Sequence, residues 1–331
     1  MRSLVVGDVH AVEGELDDCQ ALIDGILPIV VDEEVDNVIF MGDQYHNHKL
    51  VNCEVMAWWR QAFAALCTTP VIALVGNHDL AAAGSSPNHS MLAHVDAITV
   101  VDKPTEMDGV LFMPYTHSNE DFLRSVRESD AKCVVAHQAV QGSKYDNGFY
   151  APDAASLEDV QDKSFVIGHM HTPYRFDRVS EGLAVFGCDV FYPGAPRWRT
   201  ASDANIDRSV NVIEFGVKGA KVIKSVKTEQ FCHKILRFED RIESPLQLDI
   251  NPNWRYIIDI HGDAKFIQER RARWSGCRVR TFPVNAAKSA VRESMGIGAA
   301  IKMFVGGYQT KYGTSNEVLG KMVQERLPGL L

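Results

Sequence analysis

"VIFMGDQYHNH", residues 38–48, carries four apolar residues straight into Gly42, Asp43 and then His46 and His48. So short an apolar run is below core-helix length and suits a strand buried on both faces. It ends on a carboxylate and imidazoles where an ordinary turn would suffice. The same construction recurs outward from this point: "SLVVGD" at 3–8, "PVIALVGNHD" at 70–79, "AKCVVAH" at 131–137 and "SFVIGHMH" at 164–171. Between them, "EGELDDCQALIDGILPIVV" (13–31) and "NCEVMAWWRQAFAALCTT" (52–69) space apolar residues at i, i+3, i+4 and i+7, the period of an amphipathic helix. Strands alternating with helices predict a layered α/β core.

Beyond residue 181 the texture changes. "GLAVFGCDVFYPGAPRWR" (182–199) and "SVNVIEFGVKGAKVIKSV" (209–226) read as successive strands, with Gly219 at a hairpin turn. "SPLQLDINPNW" (244–254), with two prolines and two asparagines, reads as a linker. After it, "WRYIIDI", "AKFIQERRARW" and "CRVRTFPV" predict strand, helix, strand. "GIGAAIKMFVGGY" (296–308) and "NEVLGKMVQERL" (316–327) predict two further helices. The expected division is a catalytic region at 1–240 and a capping region at 241–331.

Bulk properties bound the partners. The chain has 331 residues and a formal net charge of −9. Residues 1–240 carry 20 Lys+Arg against 35 Asp+Glu (−15), and residues 241–331 carry 14 against 8 (+6). A sign reversal of this size predicts two modules, the second suited either to a polyanion or to the acidic first module. No apolar run approaches the roughly 20 residues of a membrane helix, so no membrane partner is expected. The start "MRSLVVGDVH" does not read as a secretory signal. Seven cysteines without a CxxC argue against a disulfide framework, and a reducing cytoplasm is the expected location.

The five apolar runs deliver Asp8 with His10, Asp43, Asn77 with His78, His137, and His169 with His171. In layered α/β folds the carboxyl ends of the strands share one edge, where ligands bind. Oxygen and imidazole donors without a thiolate suit Mn²⁺, Fe or Zn²⁺ and disfavour a structural zinc site. Asp8, His10, Asp43, Asn77, His137, His169 and His171 are too many donors for one ion. They suffice for two ions about 3.5–4 Å apart, the clamp for in-line displacement at phosphorus by a bridging hydroxide. Asp43, alone on its strand end, is the candidate bridge. Gly7, Gly42, Gly76 and Gly168 each precede a donor, where the backbone must turn tightly.

"GDVH" (7–10), "GD" (42–43), "GNHD" (76–79), His137 and "GHMH" (168–171) resemble, in order, the blocks of the calcineurin-like metallophosphoesterase superfamily. The resemblance spans about 200 residues, by its distribution over strands and helices. It implies an α/β fold: a four-layer sandwich of two mixed β-sheets flanked by helices, here with a small α+β C-terminal capping domain. It also implies that Asp8, His10, Asp43 and His171 hold one divalent ion. Asp43, Asn77, His137 and His169 would hold the other, and His78 would contact the phosphate and assist the leaving group. Mn²⁺ is the expected metal, with Mg²⁺, Fe and Zn²⁺ as alternatives.

The second block, "GDQYH", is similar to the GD-x-x-H of SbcD-type nuclease subunits, which makes His46 a second active-site histidine. "FYPGAPRWR" (191–199) looks like the Tyr-x-Gly-Ser-type loop of such subunits, with Ala195 in place of Ser. The Arg–Trp runs "PRWR" and "ERRARW" offer Arg197, Arg199, Arg270 and Arg271 for substrate phosphates and tryptophans for base stacking. The expectation is a DNA phosphodiesterase, exo- or endonucleolytic, working with an SMC-like ATPase subunit or as a homodimer. The first block reads "DVHAVEG" where that type has Asp-x-His-Leu-Gly, and a long anchor for a coiled-coil ATPase is absent from the pattern. A stand-alone phosphatase or phosphodiesterase acting on a small-molecule or nucleotide ester is the alternative, and a non-catalytic scaffold is a third.

Overall fold

The computed structural model describes residues 1–47, 52–82, 85–87, 90, 92, 95–146, 148–160, 162–176 and 189–283. The helices expected at 296–308 and 316–327, and His48, His89 and His94, lie outside them. The chain divides into two compact units, 1–237 with 249–257, and 238–248 with 258–331.

The first unit opens β1 (Arg2–Val6), α1 (Leu16–Asp32), β2 (Asn37–Phe40), α2 (Cys53–Ala65), β3 (Val71–Leu74). Next come β4 (Thr99–Val101), β5 (Thr105–Met107), β6 (Val110–Met113), α3 (Asn119–Glu128), β7 (Cys133–His137) and β8 (Ser164–Gly168). β9 (Tyr174–Phe176), β10 (Asp189–Tyr192), β11 (Ser209–Gly216) and β12 (Gly219–Lys227) follow. Two six-stranded sheets result, ordered β12-β11-β1-β2-β3-β4 and β5-β6-β7-β8-β10-β9. Both are mixed: β1 to β4 run parallel with β11 and β12 antiparallel, and β6, β7, β8 and β10 run parallel with β5 and β9 antiparallel.

The two-residue period of each strand explains the layers. Leu4 and Val6, Val38 and Phe40, and Val71 and Ala73 face α1 and α2. Their neighbours Val5, Ile39, Ile72 and Leu74 join Phe112, Val135 and Val166 of the second sheet in a core between the sheets. Leu111, Val134, Ala136, Phe165 and Ile167 point the other way, to Phe122 and Val126 of α3. Strands apolar on both faces therefore build helix, sheet, sheet, helix. This is the four-layer sandwich expected.

Local signals hold the helices. Asn52 caps α2, its side chain accepting from the N–H of Glu54 at 2.7 Å and of Val55 at 3.3 Å. The buried Trp59 indole then donates to the carbonyl of Gln44 at 3.2 Å, fixing the loop after β2 against α2. No described helix is long and apolar enough to cross a membrane. The described cysteines, Cys19, Cys53, Cys67, Cys133, Cys232 and Cys277, are unpaired.

The described part of the second unit contains most of a three-stranded sheet, β13 (Ile235–Arg241), β14 (Arg255–Gly262) and β15 (Arg278–Pro283), and α4 (Ala264–Arg273). Two of its buried carboxylates hold arginines of the same unit. Asp240 receives Arg270 Nε at 2.5 Å and the indole of the buried Trp274 at 2.6 Å. Arg280 forks onto Asp259 with two contacts of 2.6 Å.

Candidate metal centre

The parallel strands β1, β2 and β3 bring Asp8, Asp43 and Asn77 to one edge of the first sheet. β7 and β8 bring His137, His169 and His171 to the corresponding edge of the second. The loops after β1 and β2 are zipped together: His10 N donates to Asp43 O and Ala11 N to Gln44 O, each at 2.8 Å. All seven expected ligands come together at these two sheet edges.

Three groups of donors among the described residues have ligand atoms within 4.8 Å of one another: Asp8, His10 and His171; Asp43, His137 and His169; and His10, His46 and His78, which shares His10 with the first. His10 Nε2 and His171 Nε2 stand 2.9 Å apart, with Asp8 Oδ2 3.9 Å from His171 Nε2. In the second group, Asn77 Oδ1 lies 3.0 Å from His137 Nε2 and 2.8 Å from His169 Nδ1. Asp43 faces both the first and the second group. Its Oδ1 is 3.5 Å from His137 Nε2 and its Oδ2 is 3.6 Å from His10 Nε2.

The backbone is bent to achieve this. His10, Asp43 and His169 have φ of +50°, +52° and +84°, a region rare for residues with a side chain and concentrated at functional sites. Gly42, at φ +108°, could carry no Cβ without meeting His137 Nδ1 at 2.2 Å, and a Cβ on Gly76 would meet Asp43 Oδ1 at 2.3 Å.

Outer partners set the rings. His137 Nδ1–H donates to the carbonyl of Met41 at 2.8 Å, which turns Nε2 toward Asp43 and Asn77. His78 Nδ1–H donates to the carbonyl of His46 at 2.7 Å. Asp8 is tied by the N–H of His169 at 2.8 Å, and Asp43 by that of His78 at 2.7 Å. Burial drives the Asp8 carboxyl up to about 6, against the pull of His137. Burial would raise Asp43 too, but His137, His10 and His78 hold it well below the usual carboxylate range. Burial favours a neutral His137, yet Asp43 and Asp8 outweigh it and keep its pKa at about 9. His169 and His10 stay neutral through burial, His169 at about 3.

The donor set fits divalent cations. Two ring nitrogens 2.9 Å apart have the spacing of neighbouring ligands around one cation, at bonds of about 2.0–2.1 Å. The buried His10 Nδ1 has no hydrogen-bond partner among the described residues. Carboxylate, amide oxygen and imidazole, without thiolate, are donors for Mn²⁺, Fe or Zn²⁺.

His46 lies beside this centre. Its ring is parallel to His78 within 9° at 5.7 Å, and edge-on to His10 at 5.5 Å. Arg199 Nη1 donates to His46 Nδ1 at 3.1 Å and Arg199 Nε to Glu15 at 3.0 Å. Burial, then the Arg199 charge, lower His46 to about 4.

The other expected substrate-binding arginines sit differently. Arg197 is 1% exposed, and its nitrogens go to the carbonyls of Val9 (2.8 Å) and His10 (2.7 Å) and to Glu15 (2.8 Å). It therefore supports the first block from behind instead of meeting substrate, because two strand-end carbonyls there need a donor. Arg270, bound to Asp240 and to the carbonyl of Leu246, is likewise engaged within its own unit. Trp274 is buried at 2% exposure, which removes it from base stacking. Arg271 is exposed.

Three residues escaped sequence reasoning. Buried Asp79 accepts from the N–H groups of Tyr45 and Gly76, each at 2.9 Å, and staples the second and third blocks. Its place in "GNHD" was the available signal. Asp146 lies 3.3 Å from His171 Nδ1 and also accepts from Thr172 Oγ1 at 2.8 Å. Arg208 is buried and donates to the carbonyls of His171 and Ala195 and to Asp203. Neither lies in a motif.

A four-layer sandwich with paired carboxylate–imidazole clusters at its strand ends defines a metal-dependent hydrolase. The family model of the calcineurin-like phosphoesterases matches residues 1–173. The chain belongs to that family, metal-dependent hydrolases of phosphoester bonds. Among solved structures it is similar to Yfce, a phosphoesterase from E. coli, at 15% identity over 68% of this chain and 98% of that one, with a TM-score of 0.32. No curated protein matches the sequence.

Proposed function

We propose that the protein is a two-metal phosphodiesterase that cleaves DNA, with Mn²⁺ as its working cation. The observation that carries this reading is the Asp43 carboxylate, which turns one oxygen to each donor group. Asp8, His10 and His171 would hold one ion and Asn77, His137 and His169 the other, with Asp43 shared. Such ions supply Lewis acidity to the phosphoryl oxygens and a lowered pKa for the attacking water.

The chain's own residues handle the remaining charge. With Nδ1–H committed to the His46 carbonyl, His78 presents Nε2 to the phosphate and to the leaving oxygen. Since Arg199 donates to His46 Nδ1, the neutral His46 ring carries its proton on Nε2 and offers it to a second phosphoryl oxygen. DNA as substrate is supported by the histidine in the second block and by the basic character of residues 241–331, where the exposed Arg271 would be available to a backbone phosphate. An SMC-like ATPase, or a second copy of the chain, is the partner that would present the duplex.

The test is Mn²⁺-dependent degradation of linear duplex DNA. Wild type should degrade it, and His78→Ala should be slower by about 10²–10⁴-fold, the range for loss of a general acid or base. Hydrolysis of p-nitrophenyl phosphate with DNA left intact would overturn the nuclease reading. One observation favours a second reading, a phosphodiesterase for small esters: Arg270 and Trp274 are already occupied by Asp240. Salt separates the two, because contacts to a polyanion weaken steeply with added salt.

A further inference from the structure

Beside the two carboxylate–imidazole groups stands the third group of donors, which contains no carboxylate. His10, His46 and His78 each offer a ring nitrogen within 4.8 Å of the others. Ring centroids lie 4.8 Å apart for His10 and His78, 5.5 Å for His10 and His46, and 5.7 Å for His46 and His78. Three imidazoles with one position left for water are a sufficient shell for Zn²⁺. Nitrogen donors alone suit Zn²⁺ better than Mn²⁺. A cation seated there would draw His10 away from Asp8 and His171 and would occupy both histidines assigned to the phosphate. The fold therefore places a trap for metal beside the centre that uses it.

What His46 can offer a cation depends on Arg199. A guanidinium donates and never accepts. Because Arg199 Nη1 donates to His46 Nδ1 at 3.1 Å, the lone pair of that nitrogen is engaged. The neutral ring then carries its proton on Nε2, which leaves no lone pair there. Neither nitrogen is available to a metal, whichever of them faces His10 and His78. The arginine is itself fixed, its Nε donating to Glu15 and its backbone N–H to Asp203, each at 3.0 Å. Its permanent charge also opposes a cation at this spot.

We infer that Arg199 is a positioning residue that holds His46 as an Nε2–H donor and so denies the His10, His46 and His78 group to a cation. This rests on the reading of the adjoining groups as a metal centre. The arginine thereby decides where cations sit: His10 stays with Asp8 and His171, and His46 stays a hydrogen-bond donor.

Zn²⁺ calorimetry on the full chain tests this with wild type, His46→Asn, Arg199→Met and the double variant. Wild type and His46→Asn should bind Zn²⁺ alike, since His46 is no ligand while Arg199 is present. Arg199→Met should bind one Zn²⁺ about 10–100-fold more tightly than wild type, the scale on which the partner of a histidine ring changes metal affinity. The double variant should lose that gain. Glu15 keeps Arg197 as its partner at 2.8 Å, so the apolar replacement leaves its carboxylate paired. No gain in Arg199→Met, or a gain that survives His46→Asn, overturns the proposal. Should Arg199→Met not fold, the nitrogen NMR shifts of the wild-type His46 ring near neutral pH decide. An Nε2–H tautomer retained in excess Zn²⁺ is expected, whereas an Nδ1–H tautomer, or loss of Nε2–H on adding Zn²⁺, overturns it. A wild type that takes up no Zn²⁺ at all fails the two-ion reading instead, and the same ring shifts still decide the role of Arg199.

Discussion

The two donor groups of the metal centre use the same chemistry in different surroundings. Asp8, His10 and His171 are bordered by His46, His78 and, behind them, Arg199. Asp43, His137 and His169 are bordered by aromatic rings, Tyr115 and Tyr145, each 6.1 Å from His169. In both groups burial keeps one imidazole neutral, His10 in the first and His169 in the second. In both, carboxylates outweigh burial and raise the other, His171 through Asp146 and Asp8 and His137 through Asp43 and Asp8. Metal ligation thus makes the same demand twice, and cation binding must displace protons on each side. The difference lies in what surrounds the ligands: hydrogen-bonding groups on one side, flat aromatic rings on the other.

The sharpest way to break this symmetry is at the one residue both groups share. Asp43→Ala removes the oxygen facing His137 and the oxygen facing His10 together. The expected result is fewer than two Mn²⁺ per chain by elemental analysis and a rate loss exceeding the roughly 10–100-fold typical of an outer partner. Two tightly held ions in Asp43→Ala would show that the groups are independent sites.

A smaller effect distinguishes the groups by their supports. His171 is oriented by the Asp146 carboxylate, whereas His137 is oriented by the backbone carbonyl of Met41, which no substitution removes. Asp146→Ala should therefore weaken one Mn²⁺ by about 10–100-fold and spare the other. Biphasic calorimetric titration reads this directly. Equal weakening of both ions would mean that Asp146 supports the whole centre.

This asymmetry also marks what the sequence could reveal. The five blocks were legible because each donor follows a buried strand with its own period-2 signal, and Gly42 and Gly76 are dictated by crowding at His137 and Asp43. β4 (three residues, Thr99–Val101), β5 and β6 gave no comparable signal, although β4 to β5 is where the chain passes from the first sheet to the second. Arg197 and Trp274 were misleading for one physical reason. A basic or aromatic run looks the same whether its partner is solvent, nucleic acid, or a distant acid such as Glu15 or Asp240. Asp146 was silent because a carboxylate in a loop acquires its role only when folding brings His171 beside it.

The smallest expected effect tests whether the reactive side is tuned by charge or by hydrogen-bond geometry. His46 titrates at about 4, held down by burial first and then by the Arg199 guanidinium, which also donates to its Nδ1. A positive charge facing an imidazole disfavours the protonated form, so its removal must raise the pKa. Arg199→Gln should therefore move the His46 titration upward in an NMR pH series, stopping short of the ordinary imidazole value of about 6.5 because burial remains. Arg199→Lys keeps a charge but loses the planar fork that joins Glu15 to His46. If charge sets the titration, lysine preserves the low value and only the Nε2–H tautomer relaxes. If the lysine variant rises as far as the glutamine one, the donated hydrogen bond was the cause, and the reactive side is tuned by contact geometry.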